Sequence, residues 1–283
     1  MTHERVAYGM VGMGPVGVSL ASRIRATGRD VITYDVEPAR CEGFPAAGGL
    51  KDLAASCDWL QVAVPSSATG AVVSEVAGAL RPGALLIDWS SSAPARKVAF
   101  AEQVGAARFV DVALLDSITA DPPLVGAAGL QAEAVVELLS DLGFDARLAG
   151  EEPGHAATAK MIRSLFMKPL EVIAIEALRT ERAHRATSVA MDSIERTLRQ
   201  PFGEIATMLL ETNRLHAARR ADELDQVMAE IALADFHPFL NAASGRLREL
   251  DAVWARPEAP PKEAGAEALA AFLAQSQPNG GVS

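Results

Sequence analysis

The sequence predicts an α/β chain, a doubly wound parallel sheet followed by an all-α region, and three observations carry that prediction. Segments of strand and helix character alternate up to about residue 150. A glycine-rich turn, Gly12-Met13-Gly14-Pro15-Val16-Gly17, joins the first strand to the first helix. After Pro153 no segment has strand character.

In order, residues 5–11 are a short apolar run between polar residues and read as the first strand. Across 15–28, Val16, Leu20 and Ile24 recur at helical spacing, with Pro15 in the first turn and Gly28 at the end. A second strand, 30–34, runs into Asp35. A short helix at 50–57, a strand at 59–64 ending at Pro65, a helix at 68–80 and a strand at 84–87 follow. The run Asp88-Trp89-Ser90-Ser91-Ser92-Ala93-Pro94 then opens a helix to about 104. Strands at 108–113 and 123–128, a helix at 131–142 and a strand at 144–148 complete the region. This alternation means a parallel sheet covered on both faces. Ligands of such sheets gather outside the carboxyl ends of the strands, so the turns after Val11, Val64 and Asp88 share one crevice.

The spacing places a first domain at 1–153, a helical domain at 154–255 and a partly disordered tail at 256–283 around a short helix near 264–274. The helical domain opens with one long helix from 154 to about 185, some 45 Å at 1.5 Å per residue. Its apolar residues, among them Met161, Ile162, Leu165, Phe166, Leu170 and Ile173, surround most of its circumference. A helix apolar nearly all round is a buried one, here in an interface between domains or subunits, and Pro169 should kink it. Further helices are expected at 188–198, 203–234 and 238–253.

The glycine turn has a physical reading. Gly12 permits the tight turn, Gly14 leaves room for backbone to approach a pyrophosphate, and Gly17 lets helix and strand pack closely. The helix start adds amide donors and a positive dipole end. With strand, turn, helix, strand and acid in succession, this is a Rossmann-type dinucleotide fingerprint. The expected cofactor contacts are Gly12, Met13, Gly14, Pro15, Val16, Asp35, Val64, Pro65 and Ser91. A carboxylate at Asp35 holds ribose hydroxyls and repels a 2′-phosphate, which favours NAD over NADP; Arg40, close by, keeps NADP as the second choice.

A formal net charge of −10 excludes a nucleic-acid groove or an anionic membrane surface as partner. Cys41 and Cys57 match no disulfide framework and no metal spacing, which suits a reducing compartment. No apolar run has the ~18 residues that cross a bilayer, and the first strand leaves no room for a signal peptide. The expectation is a cytoplasmic protein with a small-molecule substrate and no metal.

The only lysines are Lys51, Lys97, Lys160, Lys168 and Lys262, and two of them lie in the long apolar helix. Burial and nearby cations lower a lysine's pKa, so a lysine beside an oxidised nicotinamide can take the proton of a substrate hydroxyl. Lys160 has that reading and an equal alternative, a snorkelling side chain paired with Glu151 or Glu152.

The chain resembles the β-hydroxyacid dehydrogenase superfamily, which includes 3-hydroxyisobutyrate and 6-phosphogluconate dehydrogenases. The resemblance rests on the glycine turn, on Asp88-Trp89-Ser90-Ser91-Ser92-Ala93-Pro94 against Asp-x-Ser-Thr-x-x-Pro, and on Gly154-His155-Ala156-Ala157-Thr158-Ala159-Lys160 against Gly-x-Gly-x-x-x-Lys-x-x-Asn-Asn. It implies that Lys160 is the general acid/base and that Ser91 touches cofactor and substrate. It is similar most of all to a branch of 6-phosphogluconate-dehydrogenase-like proteins with a C-terminal helical domain of unknown function. There the matching runs are Phe109-Val110-Asp111-Val112-Ala113, residues 160–171, and Asn213-Arg214-Leu215-His216-Ala217-Ala218-Arg219-Arg220. In related dehydrogenases the helical domain forms a homodimer, which is the expectation here.

The departures shape the pocket. The family's second glycine is Ala156, its asparagine pair is Arg163-Ser164, and the loop after Asp111 lacks Ser-Gly-Gly. Substrate contacts are therefore expected from Ser91, Ser92, Asp116, Ser117, Arg163 and Ser164, a set unlike that of a 3-hydroxyisobutyrate enzyme. His216, Arg219 and Arg220 share a helical face, read as a solvated basic stripe paired with Asp222 and Glu223 or as a contribution to a partner's site. The reading is an NAD(P)-dependent dehydrogenase of small hydroxy acids or related carbonyl compounds. The alternatives are an imine reductase or an NAD-using lyase or retro-aldol enzyme on the same scaffold, and a non-catalytic dinucleotide-binding protein.

Overall fold

The structure is a computed structural model that describes residues 6–184, 189–261 and 264–276. The chain folds as two compact units, Met1–Lys168 and Pro169–Ser283.

The first unit holds one seven-stranded sheet in the order β2-β1-β3-β4-β5-β6-β7. Its strands are β1 Tyr8–Val11, β2 Val31–Tyr34, β3 Trp59–Val62, β4 Leu85–Asp88, β5 Phe109–Leu114, β6 Leu124–Ala128 and β7 Asp145–Gly150. The helices are α1 Pro15–Ala26, α2 Leu50–Ser56, α3 Ser66–Val76, α4 Pro94–Val104 and α5 Ala132–Asp141. Period-two alternation along the strands feeds two cores. Met10, Ile87, Val110 and Val112 join Leu20 and Ile24 of α1 and Leu139 of α5 on one face. Val11, Leu60, Val62, Leu86 and Phe109 join Leu53 of α2, Val73 of α3 and Phe100 of α4 on the other. Each large apolar side chain so buried contributes about 1.5–3 kcal/mol. Both faces are covered, as a doubly wound sheet requires.

One expectation is corrected. β1 to β5 are parallel, whereas β6 and β7, parallel to each other, run opposite to them, with Asp111 of β5 facing Ala128 of β6 across the antiparallel pair. The segment between them, residues 115–123, contains no helix. A parallel return needs a crossover of a dozen or more residues, so a short link brings the chain back antiparallel.

The helix α6, His155–His184, begins in the first unit and ends in the second. Ala156 and Ala157 in its first turn are buried, but most of its larger apolar side chains are not. Leu165 is 76 % exposed, and Met161, Ile162, Phe166, Ile173 and Leu178 are also open. Among the described residues nothing covers these positions, so the cover expected from an interface is not supplied within them.

The second unit continues with α7 Val189–Leu198, α8 Phe202–Glu230, α9 His237–Trp254 and α10 Ala266–Gln275. Its core gathers Ala217, Trp254 and Leu269, with Trp254 and Phe272 stacked at 5.8 Å between ring centroids. His216 interrupts α8 with non-helical angles, φ −134° and ψ 16°. Of the pairs expected for the basic stripe, Arg219 with Glu223 is present, whereas Asp222 faces Arg248 at 3.0 Å and Arg220 donates to Thr212 Oγ1 at 2.6 Å. Arg185, Ser188 and the end of the expected tail lie outside the described residues. No helix among the described residues is long and apolar enough to cross a membrane.

Candidate active site

The site is built on the carboxyl ends of β1, β2, β3 and β4. At the end of β1 the chain turns at Gly12 with φ +90°, and its N–H donates to the Tyr34 carbonyl at 2.8 Å. A Cβ on Gly12 would lie 2.5 Å from the Ala63 carbonyl oxygen, and one on Gly17 would lie 1.9 Å from the Gly12 carbonyl oxygen. Both positions therefore admit only glycine. Gly14 differs, since a Cβ there meets nothing within 4 Å. It precedes α1, whose first turn is capped by no side chain. Open space over uncapped helix amides is what a pyrophosphate needs.

This turn forms one wall of a cavity of about 810 Å³. Gly12, Gly14, Pro15 and Val16 line it with Asp35, Val64, Pro65 and Ser91, and Tyr34, Glu37, Arg40 and Trp89 join them. Met13 is absent from that wall. Its side chain is buried in the core and its N–H donates to Asp35 Oδ2 at 2.7 Å. Asp35 Oδ1 accepts the Glu37 N–H at 2.9 Å. A carboxylate has about four acceptor sites, so ribose hydroxyls still find lone pairs there. Arg40 is held by Glu37 through Nε at 3.0 Å and a terminal nitrogen at 2.9 Å. The donor set, the room at Gly14 and the acid at Asp35 fit a dinucleotide.

At the far end, the exposed Ser91 follows β4, and its Oγ accepts a hydrogen bond from Lys160 Nζ at 2.9 Å. Lys160 is half-buried one and a half turns into α6. Burial, first, pulls its pKa below the ordinary lysine value, and the charges of Lys97 and Arg163 pull it further; Asp111 opposes them. No contact joins Lys160 to Glu151 or Glu152 among the described residues. Arg163 is exposed and Ser164 half-buried, one turn beyond Lys160. Ser92, expected at the substrate, is buried, its Oγ 2.9 Å from the Ser90 hydroxyl oxygen. Asp116 and Ser117 stand exposed in the β5–β6 loop, where Ser117 N–H donates to Asp116 Oδ1 at 3.2 Å and its Oγ meets Thr119 Oγ1 at 2.7 Å. Among the described residues no contact brings that pair to Ser91 or Lys160.

The sequence did not single out Lys97, which is wholly buried on α4 between Asp88 and Asp111. The signal was present: two acids stand in apolar strands, and the register makes Asp88 and Asp111 direct neighbours on β4 and β5. Like charges so placed repel and require a cation. The cysteines offer no rival nucleophile, since both are buried and burial pushes Cys57 up to about 12. Among the described residues no cluster of His, Cys, Asp and Glu can hold a metal ion.

Turn, strand order and cavity define a Rossmann-type NAD(P)-binding domain followed by a helical region. Residues 7–115 match the family model described as the NAD binding domain of 6-phosphogluconate dehydrogenase. A conserved hypothetical protein from Sinorhizobium meliloti 1021 has 25 % identity and a TM-score of 0.58, covering 96 % of this chain and 97 % of its own. The conserved protein MTH1747, of unknown function and structurally similar to 3-hydroxyacid dehydrogenases, has 23 % identity and a TM-score of 0.60 over 89 % of this chain and 100 % of its own. An imine reductase variant from Myxococcus stipitatus, in complex with NAD+, has 20 % identity and a TM-score of 0.71 over 95 % of this chain and 99 % of its own. The same organism's imine reductase was captured with NADP+, at 18 % identity and a TM-score of 0.67 over 94 % of this chain and 99 % of its own. A curated relative, the uncharacterized 28.5 kDa protein in the 7S RNA 5′ region of Methanothermus fervidus, is 23 % identical over 156 residues, 55 % of this chain and 61 % of its own length. The match thus spans about three fifths of that relative.

Proposed function

We propose that the protein is an NAD-dependent oxidoreductase of a small hydroxy acid or related carbonyl compound, with Lys160 as general acid/base. The observation that carries the reading is the Lys160 Nζ to Ser91 Oγ hydrogen bond of 2.9 Å, made by a residue that lines the same cavity as Gly12 and Gly14. When bound, the nicotinamide supplies the hydride acceptor or donor. The chain's own residues do the rest. The turn at Gly12–Gly17 cradles the pyrophosphate, Asp35 takes the ribose hydroxyls, and Ser91 orients the substrate oxygen. Lys160, made more often neutral by its surroundings, accepts the hydroxyl proton at Nζ during oxidation and returns it during reduction. Arg163, exposed one turn beyond Lys160, would pair with a substrate carboxylate.

The preference for NAD over NADP rests on Asp35 and on Glu37, two acids on the wall where a 2′-phosphate would lie. Glu37 also neutralises Arg40, the one cation of that wall among the described residues. The exposed apolar stripe of α6 supports a homodimer, because contiguous apolar surface of this kind marks an interaction face.

A second reading keeps the cofactor and reduces an imine. Arg163 and Ser164 stand where the dehydrogenases carry two asparagines, and imine reductases share the fold. A panel of hydroxy acids, keto acids, imines and amines with NAD(H) and NADP(H), followed at 340 nm, tests both. The reading predicts turnover of a hydroxy acid and its loss by about 10²–10⁴-fold in Lys160→Met, with NADH affinity kept. Near-normal turnover in that variant refutes the assignment of Lys160; turnover of imines alone moves the chemistry to C=N.

A further inference from the structure

Lys97 is among the largest side chains in the protein with no exposure at all. Its Nζ lies 2.9 Å from Asp88 Oδ2 and 2.9 Å from Asp111 Oδ1, and it donates to the Asp88 carbonyl at 3.0 Å. Asp111 Oδ1 has no directed hydrogen bond among the described residues, so the ammonium charge alone compensates it. Two carboxylates and one ammonium leave a buried negative charge, and two further donor sets answer it. Ser90 gives Asp88 its N–H at 2.8 Å and its hydroxyl at 3.0 Å. Gly154 and Ala157 give Asp111 Oδ2 their N–H groups at 3.2 and 2.9 Å. Asp111 therefore caps the first turn of α6 from a neighbouring strand, at the positive end of the helix dipole. Gly154 is seated on α4, where a Cβ would come within 3.0 Å of the Pro94 carbonyl oxygen.

The two arms of this cluster lead to the two halves of one hydrogen bond. Asp88 orders the turn that carries Ser91, and Asp111 orders the helix start that carries Lys160 three residues beyond Ala157. A buried ion cluster is a poor route to stability, since well-packed apolar groups commonly serve as well. We propose that Lys97 is a positioning residue: by drawing Asp88 and Asp111 onto one ammonium group it fixes Ser91 and the start of α6 at the separation that lets Lys160 reach Ser91. The proposal rests on Lys160 being the acid/base group only for its bearing on turnover; the geometry is testable without a substrate.

Asp111→Asn breaks the tie while leaving Lys97 paired one-to-one with Asp88. Lys97→Arg keeps the charge but changes its reach. Both are tested with NADH, by fluorescence titration, and with trace acetic anhydride, by mass-spectrometric rates of Lys160 acylation across pH. In Asp111→Asn the NADH dissociation constant stays within about twofold, because the glycine turn is untouched. Field and position act in opposite directions on Lys160. Loss of the Asp111 charge alone lowers its midpoint, whereas release from the buried position raises it towards the ordinary lysine value. The expected result is a rise of about one pH unit, seen as acylation about tenfold slower near pH 8, and a slowing of the same sign in Lys97→Arg. A midpoint that falls or stays put in Asp111→Asn overturns the proposal. So does failure of both variants to fold, which would make the cluster part of the fold and not of the site. If Lys160→Met keeps turnover while the midpoint in Asp111→Asn rises, the enzymatic reading fails and the positioning stands.

Discussion

The three glycines of the turn separate folding from ligand binding, and two single-methyl substitutions read the difference. In Gly17→Ala the new Cβ would sit 1.9 Å from the Gly12 carbonyl oxygen. The obstacle is backbone, so the turn must open by more than 1 Å to reach even the tightest contact that real Cβ atoms make. Overpacking of this kind costs about 1–3 kcal/mol, and a rigid obstacle puts it near the top of that range. In Gly14→Ala the Cβ meets no protein atom within 4 Å, and the backbone at φ −73° suits alanine. The protein should not register the change, but the methyl occupies the space over the first turn of α1 where a pyrophosphate approaches. Loss of one charge-assisted hydrogen bond there costs about 1.5–3 kcal/mol, or roughly a 10- to 150-fold weaker NADH complex. Differential scanning fluorimetry and NADH fluorescence titration are run on both variants. Gly17→Ala should lose melting temperature and NADH together; Gly14→Ala should keep its melting temperature and lose only NADH. Wild-type NADH affinity in a folded Gly14→Ala would show that nothing lies close over that turn, and the cradle would be misplaced.

Other tests reach the remaining parts of the site. Glu37→Gln should free Arg40 and tighten NADPH by about two- to fivefold, the scale of an exposed ion pair, with NADH changed less; equal responses of the two cofactors would count against the 2′-position lying there. For oxidation, kcat/KM should rise with pH as Lys160 loses its proton, with a midpoint below the ordinary lysine value. Arg163→Gln removes one of the positive charges that hold Lys160 low, so the midpoint should move up; a pH profile unchanged by that variant would dissociate Arg163 from the lysine. Leu165→Arg should convert a dimer to a monomer in sedimentation velocity with little change in melting temperature, since Leu165 touches little of its own chain at 76 % exposure. Wild-type protein sedimenting as a monomer would refute the dimer.

The glycine turn and the acid after β2 were legible because their meaning is local: a few consecutive residues fix a backbone path whatever surrounds them. The helices of the first unit were legible for the same reason, through spacing and stop signals. The direction of β6 was not read, though residues 115–123 were visibly too short and too polar for a crossover helix. Lys97 stayed hidden because a lone lysine between Arg96 and Val98 looks like a solvated helix face. Its partners come from two other strands, and only the pairing register puts Asp88 beside Asp111. The burial of Ser92 was not legible for a related reason, since three adjacent serines look alike until the turn buries two of them and exposes Ser91. The apolar circumference of α6 was legible as a need for cover, but a pattern of residues along one chain does not say which surface provides it.

Asp35 reaches any sugar already immobilised. Two amides, one from each strand end it joins, grip its oxygens at 2.7 and 2.9 Å. The rotamer freedom that a surface acid surrenders on meeting its ligand was given up when the chain folded. An adenosine moiety held as proposed would dock against a fixed landmark, while Ser91, exposed on the same cavity, is left to meet whatever chemistry the molecule brings.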